Sequence, residues 1–276
     1  MLTPDLRQQL QALLAQMPEA VELHLNLGDD AASGELRELA EDLLSLSAKL
    51  SLHETRAASE RRPLLTLRSP SRGTSISFAG VPNGHEFTSL VLALLHSGGH
   101  PPKTDAALLA QASNLSGEFR FDIYVSLSCQ TCPDVVQALN VMAAVNPAVS
   151  TVMIDGALFQ NEIAANNILA VPTVYLNGKP FSQGRIGLGD ILRKLDGRAH
   201  AAASAELSHK APFDMLVVGA GPAGAAAAIY AARKGLHTGI VAENFGGQVL
   251  DTMSIENFIS VKATEGPKLV ASLEEH

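Results

Sequence analysis

Cysteine, tryptophan and aromatic side chains are scarce or absent in this sequence, and each shortage excludes a class of protein. The 276 residues include two cysteines and no tryptophan, and aromatic residues make up 4%. Two cysteines cannot build a disulfide-rich secreted scaffold or a four-thiolate zinc site. So few aromatic side chains argue against a surface that stacks single-stranded nucleic acid. The net charge of −8 opposes binding to a phosphate backbone, so nucleic acid is not an expected partner.

The sequence also lacks a segment expected to target or cross a membrane. Asp5, Arg7 and three glutamines interrupt the apolar stretch that a signal peptide would need near the start. The leucines of this region, at positions 2, 6, 10 and 13, instead follow the spacing of an amphipathic helix. Residues 215–232 carry no charge, but their glycines belong to a motif described below. We therefore expect a cytoplasmic protein without a membrane span.

Two similar successions of predicted elements fill the first 196 residues. Alternating apolar and polar residues predict strands at 21–27 and 119–127, each followed by a helix, over 34–50 and 132–145. The other predicted strands lie at 64–67, 75–78, 151–154 and 173–176, and the closing helices at 85–96 and 188–195. This order favours an α/β fold of two related modules in tandem, over residues 1–100 and 101–196.

A polar, alanine-rich stretch predicts a linker over residues 197–211. A third region, residues 212–276, begins with a short apolar strand, a glycine-rich turn, an alanine-rich helix and a second strand. One βαβ unit cannot bury both faces of its parallel strands. Residues 212–276 are therefore expected to pack poorly on their own.

The two cysteines are separated by two residues and stand directly after the most regular predicted strand, at the start of a helix. Sulfurs at i and i+3 share one face of a first helical turn, so they can form a disulfide. The helix N-terminus favours a thiolate, which predicts Cys129 as the exposed nucleophile and Cys132 as the resolving thiol. The alternatives are a zinc site, a purely structural disulfide and two inert thiols. A reversible dithiol is favoured because further ligands and an export signal are not found.

A proline forty residues beyond Cys132 supports the redox interpretation. In thioredoxin-like folds, a cis-proline directly before a strand packs beside the active disulfide. Pro172, in Val171-Pro172-Thr173, occupies that place, although a proline at a strand start is also common without any such role. The first module has Gly28-Asp29-Asp30 where the second has its cysteines, which predicts a redox-inactive copy.

The glycine-rich turn of the third region is a GxGxxG motif between a strand and a helix. Its residues are Gly219, Ala220, Gly221, Pro222, Ala223 and Gly224. The first glycine permits the tight turn, the second lets the backbone approach a pyrophosphate, and the third lets the helix pack closely on the strand. Glu243, after the next strand, is placed to bind a ribose hydroxyl. The motif predicts a dinucleotide site but does not distinguish FAD from NAD.

Long segments across the chain resemble one family, the flavoprotein component (AhpF) of bacterial alkyl hydroperoxide reductases. The resemblance extends over segments 84–101, 126–140, 154–163, 218–235 and 245–261. It implies tandem thioredoxin-like modules followed by the start of a Rossmann-type FAD-binding domain. It also implies that Glu86 lies near Cys129 and modulates its pKa, and that Gly247, Gln248 and Asn257 contact the flavin.

The resemblance further implies an electron pathway. NADH reduces FAD, FAD reduces a second CxxC pair, and that pair reduces the disulfide of Cys129 and Cys132. Cys129 then attacks the disulfide of the partner peroxiredoxin (AhpC), which destroys hydroperoxides. Family members form homodimers, largely through the flavin region.

Family members are roughly twice as long as this chain, and their nicotinamide site and second CxxC pair lie beyond its last residue. We therefore expect the isolated chain to behave as a flavin-free dithiol carrier rather than as an NADH oxidase. A non-catalytic protein that docks the peroxiredoxin is the remaining alternative.

Overall fold

The computed structural model describes residues 3–57, 61–196, 211–242 and 244–276. The chain divides into two compact units, residues 1–200 and 201–276. Of the predicted linker, residues 197–210 lie outside the described residues, so the linker stays a prediction. The described residues contain no helix that combines the length and the apolar character needed to cross a bilayer.

The first unit repeats one order of elements. Its first half contains helix α1 (Pro4–Leu14), strand β1 (Val21–Asn26), helix α2 (Ala31–Leu44), strands β2 (Leu50–Thr55), β3 (Leu64–Ser69) and β4 (Thr74–Ala79), a 3-10 helix (Gly84–Glu86) and helix α3 (Phe87–Ser97). Its second half contains α4 (Ala106–Ser113), β5 (Phe119–Val125), α5 (Cys132–Val145), β6 (Val149–Asp155), α6 (Gln160–Ala165), β7 (Thr173–Leu176), β8 (Lys179–Gln183) and α7 (Leu188–Leu195).

All eight strands of the first unit form a single mixed sheet, in the order β2-β1-β3-β4-β6-β5-β7-β8. In the first half β1 pairs parallel with β2 and antiparallel with β3, and β3 pairs antiparallel with β4. In the second half β5, β6, β7 and β8 repeat this pattern strand for strand. The parallel pair β4–β6 joins the halves. The two predicted modules therefore share one sheet, and a boundary at residue 100 stays a prediction.

Burial differs between the two faces of the sheet in the first half. In β1 the residues Val21, Leu23 and Leu25 are fully buried in a cluster with apolar side chains of α1, α2 and α3. The alternate residues, Glu22 and His24 among them, are only partly buried. In β5, by contrast, every residue from Phe121 to Val125 is buried. The first half therefore keeps one polar sheet face accessible, and the second half covers both faces.

The predicted elements are largely present, with several differences at edges and ends. The helix predicted over 34–50 ends at Leu44, and β2 begins at Leu50, where no strand was predicted. The strand predicted over 119–127 ends at Val125. In α1, Leu14 is fully buried but Leu13 is 37% exposed, so the predicted apolar stripe at positions 2, 6, 10 and 13 is wrong at its last residue. Leu2 lies outside the described residues.

The second unit is small and incompletely packed. It contains β9 (Met215–Val218), α8 (Pro222–Arg233), β10 (Thr238–Val241), a 3-10 helix (Gly247–Asp251) and α9 (Gly266–Glu275). Strands β9 and β10 pair in parallel, as in a βαβ unit. Among the described residues, 12 of the 15 exposed large apolar side chains lie in this unit, and Val218 is 84% exposed. This agrees with the expectation that residues 212–276 pack poorly alone.

A shielded ion-pair network connects the two halves of the first unit. Arg61, in the connection from β2 to β3, donates from Nε to Glu162 Oε1 at 2.9 Å and from Nη2 to Oε2 at 2.7 Å. Its Nη1 donates to Asp122 Oδ1 at 2.7 Å. The side chains of Arg61, Asp122 and Glu162 are 15%, 12% and 25% exposed. Burial opposes ionisation of Glu162, but the Arg61 guanidinium lowers the pKa of this carboxyl overall. Arg61 thus pairs with two carboxylates of the second half and favours the charged form of Glu162.

Replacing Arg61 should destabilise the first unit much more than replacing a neighbouring exposed arginine. We expect Arg61→Ala to lower the free energy of unfolding by about 2–4 kcal/mol, because it leaves two shielded carboxylates without their cation. Arg120, which is 64% exposed and 3.8 Å from Asp122, is the matched control. Arg120→Ala should cost less than about 1 kcal/mol. Urea denaturation followed by circular dichroism measures both, and equal losses would contradict the bridging role of Arg61.

Candidate functional site

Cys129 and Cys132 form a disulfide at the N-terminal end of α5, with their Cα atoms 5.5 Å apart. Cys129 lies in the turn after β5, where its backbone N–H donates to the carbonyl of Ser126 at 2.9 Å. Its side chain is partly exposed, while Cys132, the first residue of α5, is fully buried. Cys129 is therefore the more accessible of the two cysteines to a partner molecule.

The start of α5 polarises the sulfur of Cys129. The backbone N–H of Cys132 donates to Cys129 Sγ at 3.2 Å. After reduction, this N–H and the positive end of the helix dipole would stabilise a thiolate at Cys129 over a thiol. Asp134, in the first turn, would act in the opposite sense, but Arg185 Nε pairs with its Oδ2 at 2.9 Å. The helix end and the N–H of Cys132 therefore favour the thiolate, and Arg185 offsets the opposing charge of Asp134.

The corresponding helix start in the first half contains no cysteine and is capped by a carboxylate. Asp30 caps α2: its Oδ1 accepts from the backbone N–H of Ser33 at 2.9 Å, and its Oδ2 accepts from Ser33 Oγ at 2.9 Å. Hydrogen bonds from Ser33 keep the pKa of Asp30 low although burial opposes this. A carboxylate has no thiol–disulfide chemistry, so a redox-inactive first half stays a prediction that this helix start is consistent with.

Glu86 lies in the 3-10 helix before α3 and is the most unusual carboxylate of the first unit. Its side chain is fully buried, and neither carboxylate oxygen has a hydrogen-bond partner among the described residues. Burial raises its pKa to about 7. The neighbouring His85 donates its backbone N–H to the carbonyl of Leu127 at 3.2 Å. The turn that carries Glu86 therefore contacts the segment that leads into Cys129.

Pro172 directly precedes β7, and its peptide bond with Val171 is cis, as predicted. The residue is buried, and its carbonyl accepts from the backbone N–H of Gly184 at 2.8 Å. The residues just before it, from Ile168 to Val171, line a shallow pocket together with Ser126. The carbonyl of Ser126 accepts the hydrogen bond from the backbone N–H of Cys129. The segment before Pro172 and the turn of the disulfide thus border one surface. A second cis-proline, Pro63, directly precedes β3 and was not predicted.

The glycine turn of the second unit has the geometry that the motif predicts. Gly219 has a φ of +103°, which favours glycine. A Cβ on Gly224 would lie 1.9 Å from the carbonyl oxygen of Gly219, so no larger residue fits there without moving α8. A Cβ on Gly221 would meet no atom within 4 Å. The backbone at Gly221 is therefore open to a ligand, and Pro222 and Ala223 follow it as the first residues of α8.

The structure brings Gly247 to this turn. A Cβ on Gly247 would lie 3.6 Å from Gly221 Cα, and the backbone N–H of Gly246 donates to the carbonyl of Ala220 at 2.8 Å. Gln248 follows, with an exposed side chain. Asn257 is exposed on the segment before α9, so its contact with a flavin stays a prediction. Glu243 lies outside the described residues.

Comparisons with known proteins agree with this geometry. The thioredoxin domain family matches residues 119–196. The AhpF component of alkyl hydroperoxide reductase from Xanthomonas campestris pv. phaseoli is 54% identical over 276 residues, which cover 100% of this chain and 52% of that protein. A Bacillus subtilis (strain 168) protein named NADH dehydrogenase is 52% identical over 275 residues, covering 100% and 53%. The chain spans about half the length of the curated relatives it matches.

A solved structure matches the first unit. The crystal structure of the N-terminal domain of alkylhydroperoxide reductase AhpF from Enterococcus faecalis (V583) superposes with a TM-score of 0.65 at 30% sequence identity. The match covers 71% of this chain and 100% of that domain. It confirms the predicted α/β, thioredoxin-like fold.

The raised pKa of Glu86 makes a pH-dependent contribution to stability. Because its pKa rises from 4.5 to about 7 on folding, its contribution is favourable below pH 4.5 and is lost as the pH rises through 7. The free energy of unfolding of Glu86→Gln should therefore rise by about 3 kcal/mol relative to that of the wild type between pH 4.5 and pH 8. Urea denaturation at both pH values measures this difference. The exposed Glu118 supplies the control Glu118→Gln, which should show no such change. A gain that is the same at both pH values would contradict the burial of an ionising Glu86.

Proposed function

Since the chain belongs to the AhpF family of alkyl hydroperoxide reductase components, we propose that Cys129 and Cys132 deliver electrons to the disulfide of a peroxiredoxin. One observation carries the proposal: the sulfur of Cys129 is accessible and accepts a hydrogen bond from the start of α5, while that of Cys132 is buried behind it. This arrangement suits a nucleophile and a resolving thiol. An inert structural disulfide would need neither the exposure nor the helix end.

The transfer proceeds in two exchange steps. In the reduced chain, the Cys129 thiolate attacks one sulfur of the partner disulfide, forms a mixed disulfide and releases the other partner sulfur as a thiolate. The Cys132 thiol then loses its proton and attacks Cys129 Sγ, which releases the second partner sulfur and restores the disulfide. Two electrons pass to the partner in each cycle, the proton of Cys132 goes to solvent, and the partner leaves with two thiolates that can take up protons from solvent. NADH, through the flavin of the whole protein, is the proposed source that reduces the chain again.

Glu86 is proposed to oppose thiolate formation at Cys129. An ionised carboxylate near the sulfur raises the thiol pKa, whereas the helix end lowers it. Because burial raises the pKa of Glu86 to about 7, its charge changes within the pH range where the chain operates. The nucleophile would therefore be restrained more strongly above pH 7 than below it.

The surface beside Pro172 is the proposed docking site for the peroxiredoxin. Leu169 is 93% exposed on the segment that precedes Pro172, and Leu158 is 46% exposed nearby in the chain, before α6. Exposed leucines at the border of a pocket are typical of surfaces that bind a protein partner. A peroxiredoxin segment bound there would place its disulfide within reach of Cys129.

The second unit is proposed to contribute to a flavin site. The open backbone at Gly221, the tight turn at Gly219 and the N-terminal end of α8 fit a pyrophosphate. Gly247, which lies beside Gly221, fits a ligand that extends along the same edge. FAD, when bound, would supply hydride acceptance from a nicotinamide and electron transfer to a disulfide. Glu243, Gln248 and Asn257 remain proposed contacts, as does a homodimer of the whole protein.

A flavin-free dithiol carrier is the second candidate function for the chain itself. The observation that favours it is the uneven packing: the disulfide lies in a well-packed unit, whereas apolar side chains of the second unit are exposed. Reduction of the peroxiredoxin by a colourless chain supplied with dithiothreitol would support this candidate. NADH oxidation by the chain alone would contradict it.

A substitution at Cys132 should trap the chain on its partner. We expect reduced Cys132→Ser, mixed with the oxidised peroxiredoxin, to accumulate a mixed disulfide through Cys129, because the resolving attack cannot occur. Non-reducing electrophoresis detects the adduct, and dithiothreitol should reduce it to the two separate proteins. Cys129→Ser is the matched control and should form no adduct, since Cys132 is fully buried. Equal adducts from both variants would contradict the assignment of nucleophile and resolving thiol.

Two glycine substitutions should separate packing from flavin binding. Gly224→Ala should loosen α8 and increase proteolysis of residues 212–276, because its Cβ would lie 1.9 Å from a carbonyl oxygen. Gly221→Ala should leave proteolysis unchanged, since no atom lies within 4 Å, but it should weaken FAD binding at least about tenfold by blocking close approach of the pyrophosphate. FAD fluorescence quenching measures the second effect. Wild-type FAD affinity in Gly221→Ala would contradict the proposed pyrophosphate site.

A further inference from the structure

The accessible sheet face of the first half carries two histidines and a glutamate on neighbouring strands. Glu22 and His24 are two residues apart on β1, so both side chains lie on the same face. His53 lies on β2, directly opposite His24 in the parallel register. These three side chains have no part in the proposed electron pathway, and each can ligate a metal ion.

The three side chains already converge. His24 Nε2 lies 2.8 Å from Glu22 Oε2, and the rings of His24 and His53 stack with centroids 4.7 Å apart. One ligand atom from each residue can be chosen so that all three lie within 4.8 Å of one another. Donors spaced in this way need only side-chain rotations to surround one ion, because β1 and β2 hold their backbones in register.

We propose that Glu22, His24 and His53 form a zinc site. Two imidazoles and one carboxylate are a donor set that zinc accepts in proteins, with a water completing four-coordinate geometry. The site would be open to solvent, since His53 is exposed and the side chains of His24 and Glu22 are 27% and 35% exposed. An open fourth position allows exchange with free zinc and suits reversible binding.

The charges around the cluster provide a second test of the proposal. Arg68 on β3 lies opposite Glu22 in the antiparallel register and is exposed. Its guanidinium repels a cation bound beside Glu22, while the net charge of −8 attracts one. Removing the charge of Arg68 should therefore strengthen zinc binding, whereas removing any ligand should weaken it. Disruption of the sheet would not produce opposite effects of this kind.

Reduced cysteines would compete as zinc ligands, and the disulfide of the oxidised chain eliminates this competition. In the disulfide form neither sulfur is available as a thiolate, so zinc bound to the oxidised full chain must use other donors. The experiment is a calorimetric titration of the untagged, oxidised chain with Zn²⁺. A parallel titration with Co²⁺, followed by absorption, identifies thiolate ligands by their intense charge-transfer bands.

We expect one zinc ion per chain and no cobalt–thiolate band. His24→Ala, His53→Ala and Glu22→Gln should each weaken zinc binding at least about tenfold, since loss of even an outer-shell partner costs that much. Arg68→Gln should strengthen binding severalfold, and His85→Ala, which removes an exposed histidine elsewhere, should leave it unchanged. If His24→Ala fails to fold by circular dichroism, the exposed His53 supplies the equivalent test.

Three results would overturn the proposal. They are absence of zinc binding to the oxidised chain, equal affinity in the wild type and in the ligand variants, and a thiolate band in the cobalt spectrum. None of them bears on the Cys129 exchange chemistry, so the zinc proposal and the proposed function fail separately.

Discussion

Backbone hydrogen bonds between β4 and β6 fuse two similar halves into one sheet, and the arrangement of the first unit depends on this pairing. Each half alone is a four-stranded sheet with the same pairing pattern. The parallel contact places the connection from β2 to β3 close enough for Arg61 to reach Asp122 and Glu162. Glu162 lies on α6, and α6 leads into the segment that ends at Pro172. A side chain of the first half thus helps to hold one border of the disulfide surface.

Two opposing electrostatic effects are proposed at Cys129. The start of α5 would stabilise negative charge on the sulfur through the N–H of Cys132. Glu86, buried in the turn that contacts Leu127, is the group whose ionisation is proposed to oppose that charge. Such antagonism is typical of sites where reactivity is adjusted rather than maximised. Burial disfavours the charged form of Glu86 and raises its pKa to about 7, so the proposed restraint on Cys129 depends on pH near neutrality.

Sequence patterns predicted the parts of the molecule that are determined by residues close together in the sequence. The strand β5, the helix α5 with its cysteines and the glycine turn all follow from alternation, helix-start chemistry and the steric demands at Gly224. The edge strand β2 was missed because its outer residues are polar and exposed, and it is defined by pairing with β1. Likewise, no pattern in the sequence reveals that Arg61 meets Glu162, since they are 101 residues apart and only the β4–β6 contact brings them together.

The carboxylate of Asp30 at the start of α2 has a consequence for the whole first unit. Thiol and disulfide differ in bond geometry, so reduction of Cys129 and Cys132 would change the local shape of the second half. Asp30 and Ser33 hold the same place in the first half by hydrogen bonds that no oxidant or reductant alters. The first half has no sulfur at its helix start, so making or breaking the Cys129–Cys132 bond alters no covalent bond or hydrogen bond there directly.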